Sequence, residues 1–269
     1  MQLSDARVVL TGASGGIGLA IATALCASGA HVLAVARHRA PLEALLAQYP
    51  EQLCWVGADL TFLNDRRKVL AAAEAIGGVN LLINAAGVNH FAMLEQLDDN
   101  EINGMLALNI TAPICLTKLL LPMLKHAASA MVVNVGSTYG SIGYPGYATY
   151  CATKFALRGF SEALRRELAD TRVGVLYVAP RATQTRMNSP AAQALNDALK
   201  SNVDEPHSVA AAVIKAIAND RRDLYLGWPE RFFVRLNSLL PNLVDRGLRK
   251  QLPLVRRLSD KPVKKDLNP

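Results

Sequence analysis

The 269-residue sequence is poor in the features that mark secreted, metal-bound or membrane-spanning proteins. Its four cysteines, Cys26, Cys54, Cys115 and Cys151, show no CxxC spacing and have no histidine pair beside them. That argues against a disulfide framework or a zinc site and for scattered buried thiols in a reducing compartment. No uninterrupted apolar run is long enough to span a bilayer. The short stretch from Asp5 to Leu10 runs straight into glycines, unlike a signal peptide. A cytoplasmic protein is expected. Charged residues make up only 19% against 51% hydrophobic, which excludes a disordered chain and suffices for one large core. Neither an internal repeat nor a low-complexity segment is visible.

The formal net charge of +7 is unevenly placed. Residues 231–269 hold ten Lys/Arg and three Asp/Glu, whereas residues 1–230 hold nineteen of each and are neutral. A nucleic-acid binder with a basic body would not look like this.

Short β-rich runs alternate with longer helical stretches over the first 230 residues, the pattern of a parallel sheet covered by helices on both faces. Strands are expected at Arg7–Leu10, His31–Ala36, Leu53–Gly57, Asn80–Ile83, Ala130–Val135, Arg172–Val178 and Leu224–Gly227. Helices are expected at Ile17–Ser28, Leu63–Ile76 and Thr149–Ala169. The fold class is α/β: a Rossmann-type, doubly wound, seven-stranded parallel sheet occupying residues 1–228. Residues 182–204 break the rhythm and read either as a mobile substrate lid with a short helix or as a plain long surface loop.

Thr11-Gly12-Ala13-Ser14-Gly15-Gly16-Ile17-Gly18 follows the first strand and opens the first helix. Glycines so placed permit a tight turn and close approach to a pyrophosphate, and the helix N-terminus offers it free N–H groups. With Asn84-Ala85-Ala86-Gly87 after the fourth strand, this spacing resembles the compact, single-domain branch of the short-chain dehydrogenases/reductases, over about residues 5–228. The resemblance implies that Asp59 meets the adenine and that Asn84 braces the sheet beside the cofactor. The second strand ends at Ala36, followed by Arg37, His38 and Arg39, where an NAD enzyme usually carries a carboxylate for the ribose 2′-OH. A guanidinium at Arg37 suits a 2′-phosphate instead. NADP(H) is therefore favoured, with NAD(H) as the alternative, although Gly15 stands where many NADP-using relatives have a second basic residue.

Tyr150 and Lys154 lie four apart on one helical face, so a cation can lower the phenol's pKa toward acid–base duty. The family resemblance joins them to Ser137 and Asn109 as a catalytic tetrad. Ser137 would hydrogen-bond the substrate oxygen and Tyr150 would donate the proton. Lys154 would bind the nicotinamide ribose, and Asn109 would hold a relay water. The cofactor set implied is Gly12, Ser14, Gly15, Gly16, Ile17, Gly18, Arg37, Asp59, Leu60, Asn84, Ala85, Gly87, Tyr150, Lys154, Pro180 and Thr185, with no metal. Thr138 and Tyr139 read as pocket lining. In one departure, Pro180 is followed by Arg181 where the family usually has glycine. Either the backbone shifts there, or Arg181 reaches substrate or cofactor.

Residues 229–269 form an amphipathic basic extension. Phe232, Phe233, Leu236, Leu239, Leu240, Leu243, Val244 and Leu248 trace an apolar helical face. Arg231, Arg235, Arg246, Arg249 and Lys250 lie elsewhere, and Pro241 should kink or split the helix. Arg256, Arg257, Lys261, Lys264 and Lys265 extend the positive run. The apolar face either packs on the domain or a second subunit, or anchors peripherally on anionic lipid. The expected activity is hydride transfer between a nicotinamide and a small-molecule carbonyl or secondary alcohol. An anchor would suit a lipophilic, fatty-acyl or steroid-like substrate. The alternatives are a catalytically silent nucleotide sensor or scaffold and a membrane-tethered partner protein. By resemblance, dimers or tetramers would form through the helices around Thr111–Ala127 and Thr149–Ala169.

Overall fold

Apolar residues that alternate between two faces dictate the architecture of the computed structural model, which describes residues 1–259. Lys261, Lys264 and Lys265 lie outside the described residues. The strands are β1 (Arg7–Thr11), β2 (His31–Ala36), β3 (Leu53–Gly57), β4 (Leu81–Asn84), β5 (Ala130–Val135), β6 (Val173–Ala179) and β7 (Asp223–Tyr225). They form one parallel sheet in the order β3-β2-β1-β4-β5-β6-β7. The order reverses between β1 and β4, so the strands' C-terminal ends open a crevice there.

The helices are α1 (Gly16–Ala27), α2 (Glu43–Gln48), α3 (Leu63–Ala75), α4 (Asp99–Leu106), α5 (Ala112–His126), α6 (Ala148–Glu167), α7 (Pro190–Ala198), α8 (Pro206–Ala218), α9 (Glu230–Leu239), α10 (Pro241–Arg249) and α11 (Leu252–Ser259). Within β1, Val8 and Leu10 face the core built with Ile21, Leu25, Val213 and Ile217 of α1 and α8. Val9 points to the opposite core, with Val69, Leu116, Leu120 and Leu164 of α3, α5 and α6. Both faces are thus buried, which is why these strands read as nearly continuous apolar runs.

Several expectations are displaced by a residue or two. β4 begins at Leu81 because the Asn80 side chain accepts from the Arg7 amide (2.8 Å) and donates to the Asp5 carbonyl (3.1 Å), below the strand. Cys26 and Cys151 are buried, but Cys54 is exposed on edge strand β3, so the thiols are not uniformly interior. Helical structure runs without a break from Asp99 to His126, and by length and mean hydropathy (1.6) this stretch could cross a membrane. It escaped a search for uninterrupted apolar runs because polar residues punctuate it. Its Leu116, Leu120 and Leu124 are fully buried against the sheet, the position of a core helix.

Residues 182–204 contain α7, capped by the Ser189 side chain on the Ala192 amide (3.2 Å). A bridge between Thr183 and Asp204 ties the two ends of the segment together. The extension divides at Pro241, the first residue of α10, where its missing N–H costs nothing. Pro253 opens a further helix, α11, which packs back on α7: Val255 is fully buried with Phe91, Tyr147, Ala192 and Leu195.

Candidate active site

The glycine turn closes on itself through a hydrogen bond from the Gly15 amide to the Gly12 carbonyl (3.0 Å). Gly12 has φ +67°, and a Cβ there would meet the Ala86 backbone at 2.7 Å. A Cβ on Gly18 would strike the Gly12 carbonyl. Only glycine allows both this backbone shape and this approach. No side chain caps α1, so its N-terminal amides face the crevice. Thr11 ties this turn to the end of β4. Its hydroxyl accepts from the amides of Ala85 (3.0 Å) and Ala86 (3.1 Å) and lies 3.3 Å from the Ile83 carbonyl.

Two clefts share these walls. One is lined by Ser14, Gly15, Ala36, Arg37, Asp59, Leu60, Ala85 and Gly87. The other, about 350 Å³, is lined by Gly16, Ile17, Gly18, Ser137, Tyr150, Lys154, Pro180 and Thr185. Gly12, Ser14, Gly15, Ala85 and Gly87 border both, so together they form one continuous groove across the crevice. Asp59 is held by Thr61, whose hydroxyl (2.7 Å) and amide (3.0 Å) both donate to its carboxylate. An extended dinucleotide fits such a groove: uncapped amides and glycines in the middle, a guanidinium beside a carboxylate-free strand end, titratable side chains at the far end.

Ser137 caps a short turn (Thr138–Gly140), its hydroxyl accepting from the Tyr139 amide at 3.1 Å. It lines the same cleft as Tyr150, and its hydroxyl favours the Tyr150 phenolate. Lys154 is buried one turn along α6, donates to the Val135 carbonyl (3.0 Å), and lies 5.5 Å from the Tyr150 ring centre. Burial lowers its pKa from 10.5 to about 8. Burial also pushes the Tyr150 phenol well above its usual range, opposed by the Ser137 hydroxyl. The lowering expected from lysine does not prevail, because desolvation of the buried phenol is the largest influence on it.

Asn84 and Asn109 stand behind the walls. Asn84 donates to Thr117 (3.2 Å) and Asn134 (2.9 Å), and Asn134 donates to Ser161 (2.9 Å), a buried polar ladder joining β4, β5, α5 and α6. Asn109 sits in a π-helical turn (Ala107–Thr111). Its side chain accepts from the Val88 amide and donates to the Val88 carbonyl, both 2.9 Å, and donates to Thr153 (3.1 Å). These bonds hold the Gly87–Val88 turn beside Lys154, and they commit the side chain.

A family model described as short chain dehydrogenase matches residues 6–196. The chain belongs to the short-chain dehydrogenase family. Its chemistry is the oxidoreduction of CH–OH and C=O groups. Over 93% of its length this dehydrogenase is 30% identical to the uncharacterized oxidoreductase YxnA of Bacillus subtilis, covering 73% of that protein. It is 30% identical to the 3-oxoacyl-[acyl-carrier-protein] reductase FabG of Vibrio cholerae, over 79% of this chain and 90% of FabG. A short chain dehydrogenase of Burkholderia cenocepacia, solved in complex with NADP, superposes with TM-score 0.77 at 27% identity, covering 86% of this chain and all of that one.

Four features of this dehydrogenase's site escaped the sequence reading. Tyr177 of β6 is fully buried, and its hydroxyl both accepts from the Ser137 amide (3.4 Å) and donates to the Ser137 carbonyl (3.2 Å). Asn89 lines the cleft with its side-chain oxygen buried and without a partner among the described residues, and its place just after the Asn84–Gly87 turn was a usable signal. Tyr139, Tyr144, Tyr147 and Tyr150 of one stretch gather with the distant Phe91 into an aromatic shelf. Arg181 lines the cleft, but its guanidinium is already engaged. It pairs with Asp204 (2.8 Å) and Glu230 (3.3 Å), clasping the end of the 182–204 segment to the first residue of α9.

Proposed function

We propose that the protein is an NADP(H)-dependent reductase of lipophilic carbonyl compounds, working in the cytoplasm and in contact with membrane through its basic extension. The observation that carries this reading is the convergence of Ser137, Tyr150 and buried Lys154 on one wall of the shared groove. When bound there, the nicotinamide supplies the hydride. Ser137 and Tyr150 would hold the substrate's carbonyl oxygen between two hydroxyls. Burial keeps the Tyr150 phenol protonated, the form that can give a proton to the oxygen of a carbonyl being reduced. Lys154 spends one N–H on Val135 and has two left for ribose hydroxyls. Since the Asn109 side chain is committed to Val88 and Thr153, a relay water would be held by main chain around its π turn.

Arg37 beside the carboxylate-free end of β2 supports NADP(H), as does the NADP complex of the Burkholderia relative. The substrate end pairs an aromatic floor (Tyr139, Tyr147) with a polar rim (Asn89, Asn188, Asn202). Such a surface matches a carbonyl on an apolar body with a polar group nearby, and 3-oxoacyl compounds, the class in the FabG relative's name, have that form. The outward sides of α5 and α6, where Phe155 is exposed, would join copies into a homo-oligomer.

The test is a series of ketones of graded chain length, followed by NADPH absorbance, with wild type and Tyr150→Phe. The rate should rise with chain length. The variant should still bind NADPH but reduce roughly 10²–10⁴-fold more slowly. A rate indifferent to chain length overturns the lipophilic substrate, and an undiminished variant overturns the mechanism.

A further inference from the structure

Large apolar side chains rarely crowd an open surface unless that surface is used. Of thirteen large hydrophobic residues exposed among the described residues, six fall between Trp228 and Leu243. Trp228 is 73% exposed and Leu239 79%, with Phe232, Phe233, Leu240 and Leu243 each about half open. Helices α9 and α10 turn Val234, Leu236, Val244 and Leu248 inward, leaving these six outside.

The same surface is basic. Arg231, Arg235, Arg246, Arg249 and Lys250 are exposed, and none forms a salt bridge among the described residues. Of the two carboxylates on these helices, Glu230 is taken by Arg181, leaving Asp245. Arg231 and Arg235 also line a groove with Arg158, Tyr225 and Asp223 that ends beside Leu239. Arg165 already engages that Asp223 (3.1 Å).

We propose that α9 and α10 dock this protein on an anionic lipid bilayer, the exposed aromatic and leucine side chains entering the acyl boundary and the arginines meeting headgroup phosphates. Charge decides between this occupant and a second copy. Two such faces brought together would oppose arginine to arginine, and the neutral first 230 residues offer no acidic excess to receive them. An anionic surface complements both properties at once.

The docking face is tied to the catalytic end. Glu230, the first residue of α9, lines the cleft and holds Arg181, which holds Asp204. Asn237 donates to the Ser141 carbonyl (3.0 Å), just past the turn that carries Ser137. Beyond α10, Gln251 accepts from the Tyr144 hydroxyl (2.5 Å), and α11 packs on α7. A bilayer held by α9 and α10 would lie beside the cleft's wall, where a membrane-borne lipophilic substrate would be presented. That consequence rests on the substrate reading above; the docking itself does not.

The experiment floats the full-length protein with vesicles of phosphatidylcholine alone and with a quarter phosphatidylglycerol. Recovery with the anionic vesicles alone, falling as salt rises, is expected. Leu239→Glu/Leu243→Glu and Arg246→Glu/Arg249→Glu should each lower partitioning at least ~tenfold. NADPH binding and reduction of a short water-soluble ketone should stay at wild-type levels, so failure of docking and failure of the reductase reading are told apart. In a Trp55→Phe background, emission from Trp228 should shift to the blue on anionic vesicles, a readout that needs no surface variant. Equal recovery with both vesicle types, an unmoved Trp228 spectrum, or variants that change only the oligomeric state would overturn the proposal.

Discussion

Tyr177→Phe is the sharpest probe of how the site is held. It removes one oxygen from a side chain that is fully buried and wedged against Gly136 and Gly140, where a Cβ would collide with the ring. Nothing else about the packing changes. The amide and carbonyl of Ser137 both lose their tyrosine partner, at 3.4 and 3.2 Å. The carbonyl keeps its bond from the Gly140 amide (2.9 Å), so the Ser137 amide alone is left without a partner among the described residues, at a cost of ~1–3 kcal/mol. For a chain of this size that is a Tm lower by roughly 2–10 °C. The Ser137 hydroxyl depends on that backbone for its aim, and small misplacements of a reacting group are expensive, so kcat should fall about tenfold. NADPH affinity should hold, since the glycine turn and Arg37 are remote from Tyr177. Thermal denaturation, fluorescence titration with NADPH and steady-state kinetics provide the three readings. A lower Tm with unchanged kcat would refute the positioning role and leave Tyr177 as a packing residue only.

Lys154 makes a signed pH prediction. Its folded pKa, about 8, lies below the ordinary 10.5, so between those values the unfolded chain binds more protons and wild-type stability gains with pH. Lys154→Met has no such group, so its stability relative to wild type should decline by about 2–3 kcal/mol from pH 7 to pH 10, measured by urea unfolding; a constant difference counts against the buried ammonium. Arg37→Ala should weaken NADPH binding about tenfold or more while hardly touching NADH, because only the former carries the 2′-phosphate. Equal losses for both cofactors would remove Arg37 from that role.

Much of this fold could be read from the chain because its signals are local. A parallel strand buried on both faces must be a short apolar run, and β1, β2 and β5 are such runs. A turn that approaches a phosphate needs glycine, and Gly12 and Gly18 are spaced for it. One helical turn separates Tyr150 from Lys154, so their shared face follows from helix geometry.

What the chain did not disclose depends on groups distant in sequence. Tyr177 looks like any strand tyrosine until β6 lies beside β5 and brings its hydroxyl to Ser137, forty residues away. Arg181 could be read as a ligand or a strained substitution, and only the meeting of three segments shows it as a clasp on Asp204 and Glu230. Tyrosine and lysine suggested a lowered phenol pKa by their spacing alone. The surrounding shelf raises it instead, because desolvation is a property of the assembled pocket. Periodicity, spacing and local charge were thus settled by the sequence itself; burial, and with it the direction in which the Tyr150 and Lys154 pKa values move, waited for the tertiary structure.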